Sequence, residues 1–194
     1  MKGFIKTSLC MGMTLLIIPS YAANPLDIAK LQKIAPQQNT AGLDLSNTDL
    51  RNYAFSPEKT NLKNANLSHT NLSHVNLGNM DLSNANLSNS DLSDADLQHA
   101  NLSGANLTRA NLSDADLQDA NLAGATLDSA KLDKANLKST ILTKANLRCA
   151  NFNNADLSAS NLSEAVISGA SFINTVTLNI THYDSVTNEV VTCT

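Results

Sequence analysis

The stretch "ANLSGANLTRANLSDADLQDANL", Ala100 to Leu122, places leucine at 102, 107, 112, 117 and 122, every fifth residue. An amphipathic helix repeats its apolar residues near every 3.6 and a half-buried strand repeats them every second. A period of five belongs to neither, so it marks an internal repeat whose unit is shorter than a helix or hairpin. Outward from this stretch the phase holds from Leu62 to Leu147 and continues through Phe152, Leu157, Leu162, Ile167 and Phe172. Two residues before each central apolar residue stands a small one, usually alanine, as at Ala85, Ala95, Ala105 and Ala115. The residue immediately before it is mostly Asn or Asp, and the two after it are polar and varied. Three earlier pentads, centred on Leu45, Leu50 and Phe55, lie two residues out of phase. The slip falls in "SPEKT", Ser56 to Thr60, where Pro57 predicts a short loop or bulge.

The segments "ANLSGANL" and "ADLQDANL" carry the A(D/N)Lxx signature, and the chain resembles the pentapeptide-repeat family. The resemblance implies an all-β fold, a right-handed quadrilateral β-solenoid with one pentad per side and four pentads per coil. The number of sides comes with the resemblance, since a period of five alone does not specify it. In such a fold the central leucine points inward and stacks on its equivalent one coil away, at the inter-strand spacing of about 4.8 Å. The small residue also faces inward near a corner. Columns twenty residues apart agree with this, because Ala65, Ala85, Ala105, Ala125, Ala145 and Ala165 are all alanine. Thr70, Val75 and Met80 depart from it, so the early coils are expected to be wider or less regular. A single coil cannot fold alone, so stability must come from stacking, and both open ends need caps.

The flanks suggest what supplies them. Lys2 and Lys6 precede the apolar run "SLCMGMTLLIIP", and Ser20-Tyr21-Ala22 offers small residues for cleavage, which predicts a secretory signal peptide over 1–22. Residues 23–42 are expected to hold an N-terminal helical cap. Within them "NPLDIAKLQKIAP" offers Asn24 as N-cap, Pro25 at the first helical position and Pro36 as a stop. The solenoid is then expected over 43–175, with the slip at 56–60. Residues 176–194 alternate around a turn, "VTLNITHY" and "EVVTCT" flanking "DSVTN", and predict a hairpin-like C-terminal capping segment. The entry into the repeats also resembles exported members of the family, in which a Cys-x-x-Cys opens the first coil. Here Thr40 and Leu43 stand at those places.

Chemistry is sparse along this chain. Removing Lys2 and Lys6 with the leader takes the formal charge from −4 to −6, mildly acidic. That aids solubility without marking a polyanion mimic. The mature chain keeps Cys149 and Cys193, which either pair as a disulfide in an oxidising compartment or remain two free thiols. His74, Asp94, Asp114 and Lys134 fall in one outward column and His99 beside Asp119 in another, as rung-to-rung ion pairs. His69 and His74 lie on adjacent sides of one coil, where side chains diverge instead of converging on a metal. Asn66, Asn86, Asn106 and Asn146 form a column read as structural, bonding between coils and to turn backbone. The many NLS and NLT triplets are generated by the repeat itself.

No Gly-rich phosphate loop and no Ser/His/Asp or Cys/His constellation occurs, and no long insertion builds a pocket, so the sequence predicts a non-enzyme without cofactor, metal or small-molecule substrate. The one surface feature is an acidic cluster, Asp91, Asp94, Asp96, Asp114, Asp116 and Asp119, on two adjoining sides of consecutive coils. It is followed by basic residues Lys131, Lys134, Lys138, Lys144 and Arg148. Such a charge dipole suits a basic protein partner. The expected function is an exported structural or protein-binding module in the periplasm or outside the cell. It would have no membrane anchor after leader cleavage, no nucleic-acid partner, and an end or face open to homodimer formation. Two alternatives remain: the resemblance extends to members that mimic DNA and bind type II topoisomerases, and a secreted effector would share the same features.

Overall fold

The computed structural model describes residues 42–51, 53–57, 60–181 and 193. Over them the chain winds as a four-sided β-solenoid, and its register states the number of sides directly. Parallel bridges join Asn86 to Asn106, Asn101 to Asn121 and Asp116 to Asn136, each pair twenty residues apart, so four pentads make one coil. Each side is too short for more than one bridging residue, the Asn or Asp before the central leucine, and the ladder is therefore a stack of isolated bridges.

The pentad Ala105–Arg109 shows why five residues suffice. The Ala105 N–H closes a turn on the Leu102 carbonyl at 3.0 Å, and the Asn106 N–H reaches back one coil to the Ala85 carbonyl at 2.9 Å. The Leu107 and Arg109 N–H groups reach forward to the Thr126 and Asp128 carbonyls at 2.7 and 2.9 Å. The remaining donor, the Thr108 N–H, is taken by the Asn106 side-chain Oδ1 at 3.1 Å. All five backbone donors are thus satisfied, which a buried or half-buried chain requires. The corner is turned at the second residue after each leucine, which lies in the left-handed region, as at Asp94 (φ 55), Arg109 (φ 58) and Asp114 (φ 58). Gly104 occupies the same kind of corner (φ 67), and a Cβ there would sit 2.4 Å from Asn84 Oδ1.

The column of Asn and Asp before the leucines is structural in two ways. The side chain caps the backbone two residues on, and where Asn or Asp stands in the same place one coil back, several of the amide nitrogens also reach that residue. Asn86 Nδ2 donates to Asn66 Oδ1, and Asn106 Nδ2 to Asn86 Oδ1, both at 3.3 Å. The same amides form the glycosylation triplets, so the fold already uses them. Where Ile141 replaces this residue no side chain of that kind is present, although Asn121 and Asn161 flank it in the ladder. Ile141→Asn should therefore add one backbone cap and raise stability by about 0.5–1.5 kcal/mol, seen as a higher urea midpoint at unchanged m-value.

The core is a stack of leucines closed to water. Leu92, Leu112, Leu132 and Phe152 follow one another up one column, all fully buried, and Phe152 stacks on Phe172 with ring centroids 5.1 Å apart and planes 1° apart. Each such burial contributes roughly 1.5–3 kcal/mol. Where serine or threonine takes the small inward position its hydroxyl binds a main-chain carbonyl. Thr140 donates to Leu117 O at 2.8 Å and Ser90 to Leu87 O at 2.7 Å, while Thr48 donates to Leu45 O.

The expected irregularity of the early coils is not present. Val75 and Met80 are buried, Asn76 and Asp81 keep their twenty-residue bridges, and the turn bond at Val75, 3.2 Å, equals that at Ala115. Three inter-coil backbone bonds per pentad hold the spacing against a few added carbons. The slip at Ser56–Thr60 does show in the register, since Asp44 pairs with Asn66 and Asp49 with Asn71, two residues beyond twenty. The Thr60 N–H spans the wider corner to Ser56 O at 2.8 Å, and Tyr53 and Phe55 pack edge to face beside it, with centroids 4.6 Å apart. Burial pushes the Tyr53 phenol above its ordinary range.

The solenoid also overruns its expected limits. Gly42 belongs to the first coil, donating to Lys63 O at 2.9 Å. At the other end Val176 bridges to Asp156 and Thr181 to Asn161, so 176–181 continue the coil instead of opening a hairpin, and the solenoid extends past 175 to at least 181. The misreading has a simple cause: alternation reports extended backbone, and a solenoid side is extended too. The predicted leader over 1–22, the helical cap up to residue 41 and the rest of the C-terminal segment apart from Cys193 lie outside the described residues. Among the described residues no helix is long and apolar enough to cross a membrane.

Candidate functional site

The solenoid places the six aspartates of the acidic cluster in two structurally different rows. Asp91, Asp96 and Asp116 hold the position before a leucine and are half-buried. Asp91 accepts from the Ser93 N–H at 3.1 Å, the Ser93 hydroxyl at 2.8 Å and the Asn111 amide at 2.9 Å. Asp116 accepts from the Gln118 N–H at 3.1 Å, the Asn136 amide at 2.9 Å and the Gln98 amide at 2.8 Å. Asp96 caps the Gln98 N–H at 3.1 Å. These three carboxylates hold the solenoid together and offer little to a ligand.

Asp94, Asp114 and Asp119 instead occupy corners, where left-handed backbone throws the side chain outward. Each has a basic side chain beside it in its column. His74 Nδ1 lies 3.8 Å from Asp94, Lys134 Nζ 3.9 Å from Asp114, and His99 Nδ1 4.0 Å from Asp119. The outward columns read from the sequence are therefore the ones that form. Asp94 and Asp114 stand next to each other between the two ends of their column. Exposed pairs of this kind are worth under about 1 kcal/mol, so these carboxylates remain available to a cationic partner. Among the described residues no three His, Cys, Asp or Glu side chains converge as a metal site would need.

The basic region further along is less basic than its letters suggest. Lys138 Nζ lies 3.2 Å from Asp156 and Lys144 Nζ 3.7 Å from Glu164, so acids of the following coil answer two of its lysines. Burial pushes the Asp156 carboxyl up. Hydrogen bonds from Ser158 and Lys138 outweigh that and leave it below the usual carboxylate range. Asp81 behaves likewise, with burial opposed by bonds from Ser83 and Asn101 and by the charge of Lys63.

The second feature of the surface is covalent. Cys149 turns the corner at φ 56, and its sulfur is bonded to that of Cys193, with the Cα atoms 5.6 Å apart across 44 residues of sequence. Cys193 Sγ also lies 3.6 Å from the Gly169 carbonyl, in the corner one coil above Cys149. Spacing alone left the two thiols unassigned, because nothing local in either segment refers to the other. Sequence reading also passed over a cluster at the same end, Ile173, Val176 and Leu178, which face solvent around one corner.

The register, the left-handed corners and the stacked leucines repeat over most of the chain, and the family model for pentapeptide repeats matches the same span in eight copies, at residues 60–98, 90–128, 120–158 and 140–176. The chain belongs to the pentapeptide-repeat family. Among solved pentapeptide-repeat structures it is 41% identical to Rfr23 from the cyanobacterium Cyanothece 51142, over 50% of this chain and 63% of that one, with a TM-score of 0.30. The match thus spans less than two thirds of that relative's length. HetL from the cyanobacterium Nostoc sp. strain PCC 7120, involved in the regulation of heterocyst differentiation, is 28% identical over 72% of this chain and 81% of that one, with a TM-score of 0.24. QnrB1, a plasmid-mediated fluoroquinolone resistance protein, is 17% identical over 74% of this chain and 78% of that one, with a TM-score of 0.32. No curated protein matches.

Proposed function

We propose that this pentapeptide-repeat protein is a non-enzymatic exported solenoid, a structural or protein-binding module of the periplasm or the extracellular space. It winds right-handed and carries a helical cap before its first coil and a capping segment after its last. The observation that carries the reading is the Cys149–Cys193 disulfide, since such bonds persist in oxidising compartments and are rare in the cytosol. The basic-then-apolar leader ending at Ala22 points the same way. The partner is a protein with a basic patch, which the corner carboxylates Asp94, Asp114 and Asp119 meet, while the half-buried aspartates stay with the fold. No small-molecule substrate, nucleic acid or lasting membrane anchor enters this reading, and a solenoid end or face is left for a homodimer. A topoisomerase-binding DNA mimic fits less well, because acids and bases alternate along the rod and the leader directs the chain away from cytoplasmic enzymes.

The test is N-terminal sequencing of the protein from fractionated cells. A chain starting at Ala23 in periplasm or medium supports the proposal, and intact Met1 in the cytosol overturns it. A pull-down comparing the native chain with Asp94→Asn/Asp114→Asn/Asp119→Asn then reads the binding surface. The variant should lose at least about tenfold of captured partner, since three charges contribute at an interface.

A further inference from the structure

The disulfide does more than indicate a compartment, because of what it encloses. Cys149 shares a corner column with Arg109, Ser129 and Gly169, each twenty residues from the next. Thr181, bridged to Asn161, ends the last described coil, yet Cys193 lies beside Cys149, in the coil before it. The coil Leu162–Thr181 therefore lies within the stretch of sequence that the disulfide closes.

This coil is the weakest part of the core. One coil earlier Leu142, Leu147, Phe152 and Leu157 are buried, whereas Ile167 and Phe172 are only partly so, and Ile173, Val176 and Leu178 stand 63%, 47% and 66% exposed. In a stacked repeat each coil is held by its neighbours, so a coil whose apolar residues are only partly covered opens before the others. The covalent bond is placed where stacking is least.

We propose that Cys149–Cys193 is a redox-modification site for dithiols, and that the bond fastens the terminal coil 162–181 to the body of the solenoid. Cys193 is exposed and Cys149 half-buried, so attack falls on Cys193. A thiolate of the dithiol bonds to Cys193 Sγ, the Cys193–Cys149 bond breaks, and Cys149 leaves as a thiolate that takes up a proton. The second thiolate of the dithiol then displaces Cys193, which is protonated in turn. The dithiol ends as its disulfide, having given two electrons, and the protein ends with two thiols. The coil 162–181 then keeps its ladder to the preceding coil without the covalent tie. The inference needs no knowledge of the binding partner.

Hydrogen exchange followed by mass spectrometry tests it on the full chain, oxidised and after treatment with dithiothreitol, with thiol titration to count released groups. The expected result is two thiols per chain and exchange over 162–181 faster by about tenfold or more, with 82–140 unchanged. The double variant Cys149→Ser/Cys193→Ser should match the reduced protein. Unchanged exchange over 162–181 after complete reduction overturns the proposal, as does a rise of equal size over the whole solenoid. Thiols already free in protein purified without reductant overturn it as well.

Discussion

Leu112→Asp should abolish the cooperative melt of the central coils, lowering stability by about 4 kcal/mol or more. Leu112 has no exposed surface, and its column neighbours Leu92 and Leu132 are also fully buried. A carboxylate at this place has only alkyl groups around it, because the core is one side chain wide and its neighbouring backbone donors are already committed. The Leu112 N–H itself binds Lys131 O at 2.7 Å. The side chain must then sit protonated and unpaired or draw water into the stack, and either outcome loosens the coils on both sides. Far-UV circular dichroism during a urea titration reads the effect. Ser113→Ala, one residue along, should change stability by under about 1 kcal/mol, since its hydroxyl bonds only surface-facing oxygens of Asn111 and Asp133, at 2.7 and 2.8 Å. A Leu112→Asp protein that melts like the parent would mean that leucine does not line a closed core.

Deleting Ser113 alone should be at least as damaging, although the residue itself contributes little. Each side of the coil is five residues long, and the bridges from Asn111 to Asp91 and to Lys131 hold that length in register. Four residues cannot cover the side and turn its corner. Either the three ladder bonds of the pentad break, or every downstream residue moves one place, so that Asp116 and Asn121 enter inward alanine positions and Gln118, Asp128, Asp133 and Lys138 enter those of leucine. The loss should exceed about 5 kcal/mol, more than most single substitutions cause. Two residues inserted after Ser113 should cost far less, because an insertion can bulge into solvent. The chain already carries one at Ser56–Thr60, where the register widens by two and the stack continues. Chemical denaturation of the deletion and insertion variants would settle the comparison, and equal losses from both would refute it.

These expectations follow from parts of the fold that were readable before any coordinates. The inward leucine and alanine positions, the capping role of the Asn row and the slip near Pro57 came from the pentad pattern, because each depends on residues within a few positions of one another. The outward pairs His74–Asp94, His99–Asp119 and Asp114–Lys134 followed once a twenty-residue coil was assumed. The candidate site was only half legible. Position in the pentad separates Asp91, Asp96 and Asp116, each before a leucine, from Asp94, Asp114 and Asp119, but only the structure shows that Asp91 and Asp116 already accept bonds from the neighbouring coil.

By itself, then, the sequence determined which side chains face inward and why Asn or Asp precedes each leucine, because a pentad satisfies its turn and its fifth donor locally. Tertiary structure decided the rest: that the stack runs on to Thr181, that the early coils keep their spacing despite Val75 and Met80, which aspartates bond to the neighbouring coil, and that Cys149 meets Cys193. These depend on contacts twenty to forty-four residues apart. Every pentad is nearly equivalent to the next, so local sequence cannot tell one partner coil from another. Only the closed and stacked coil assigns each residue its neighbour.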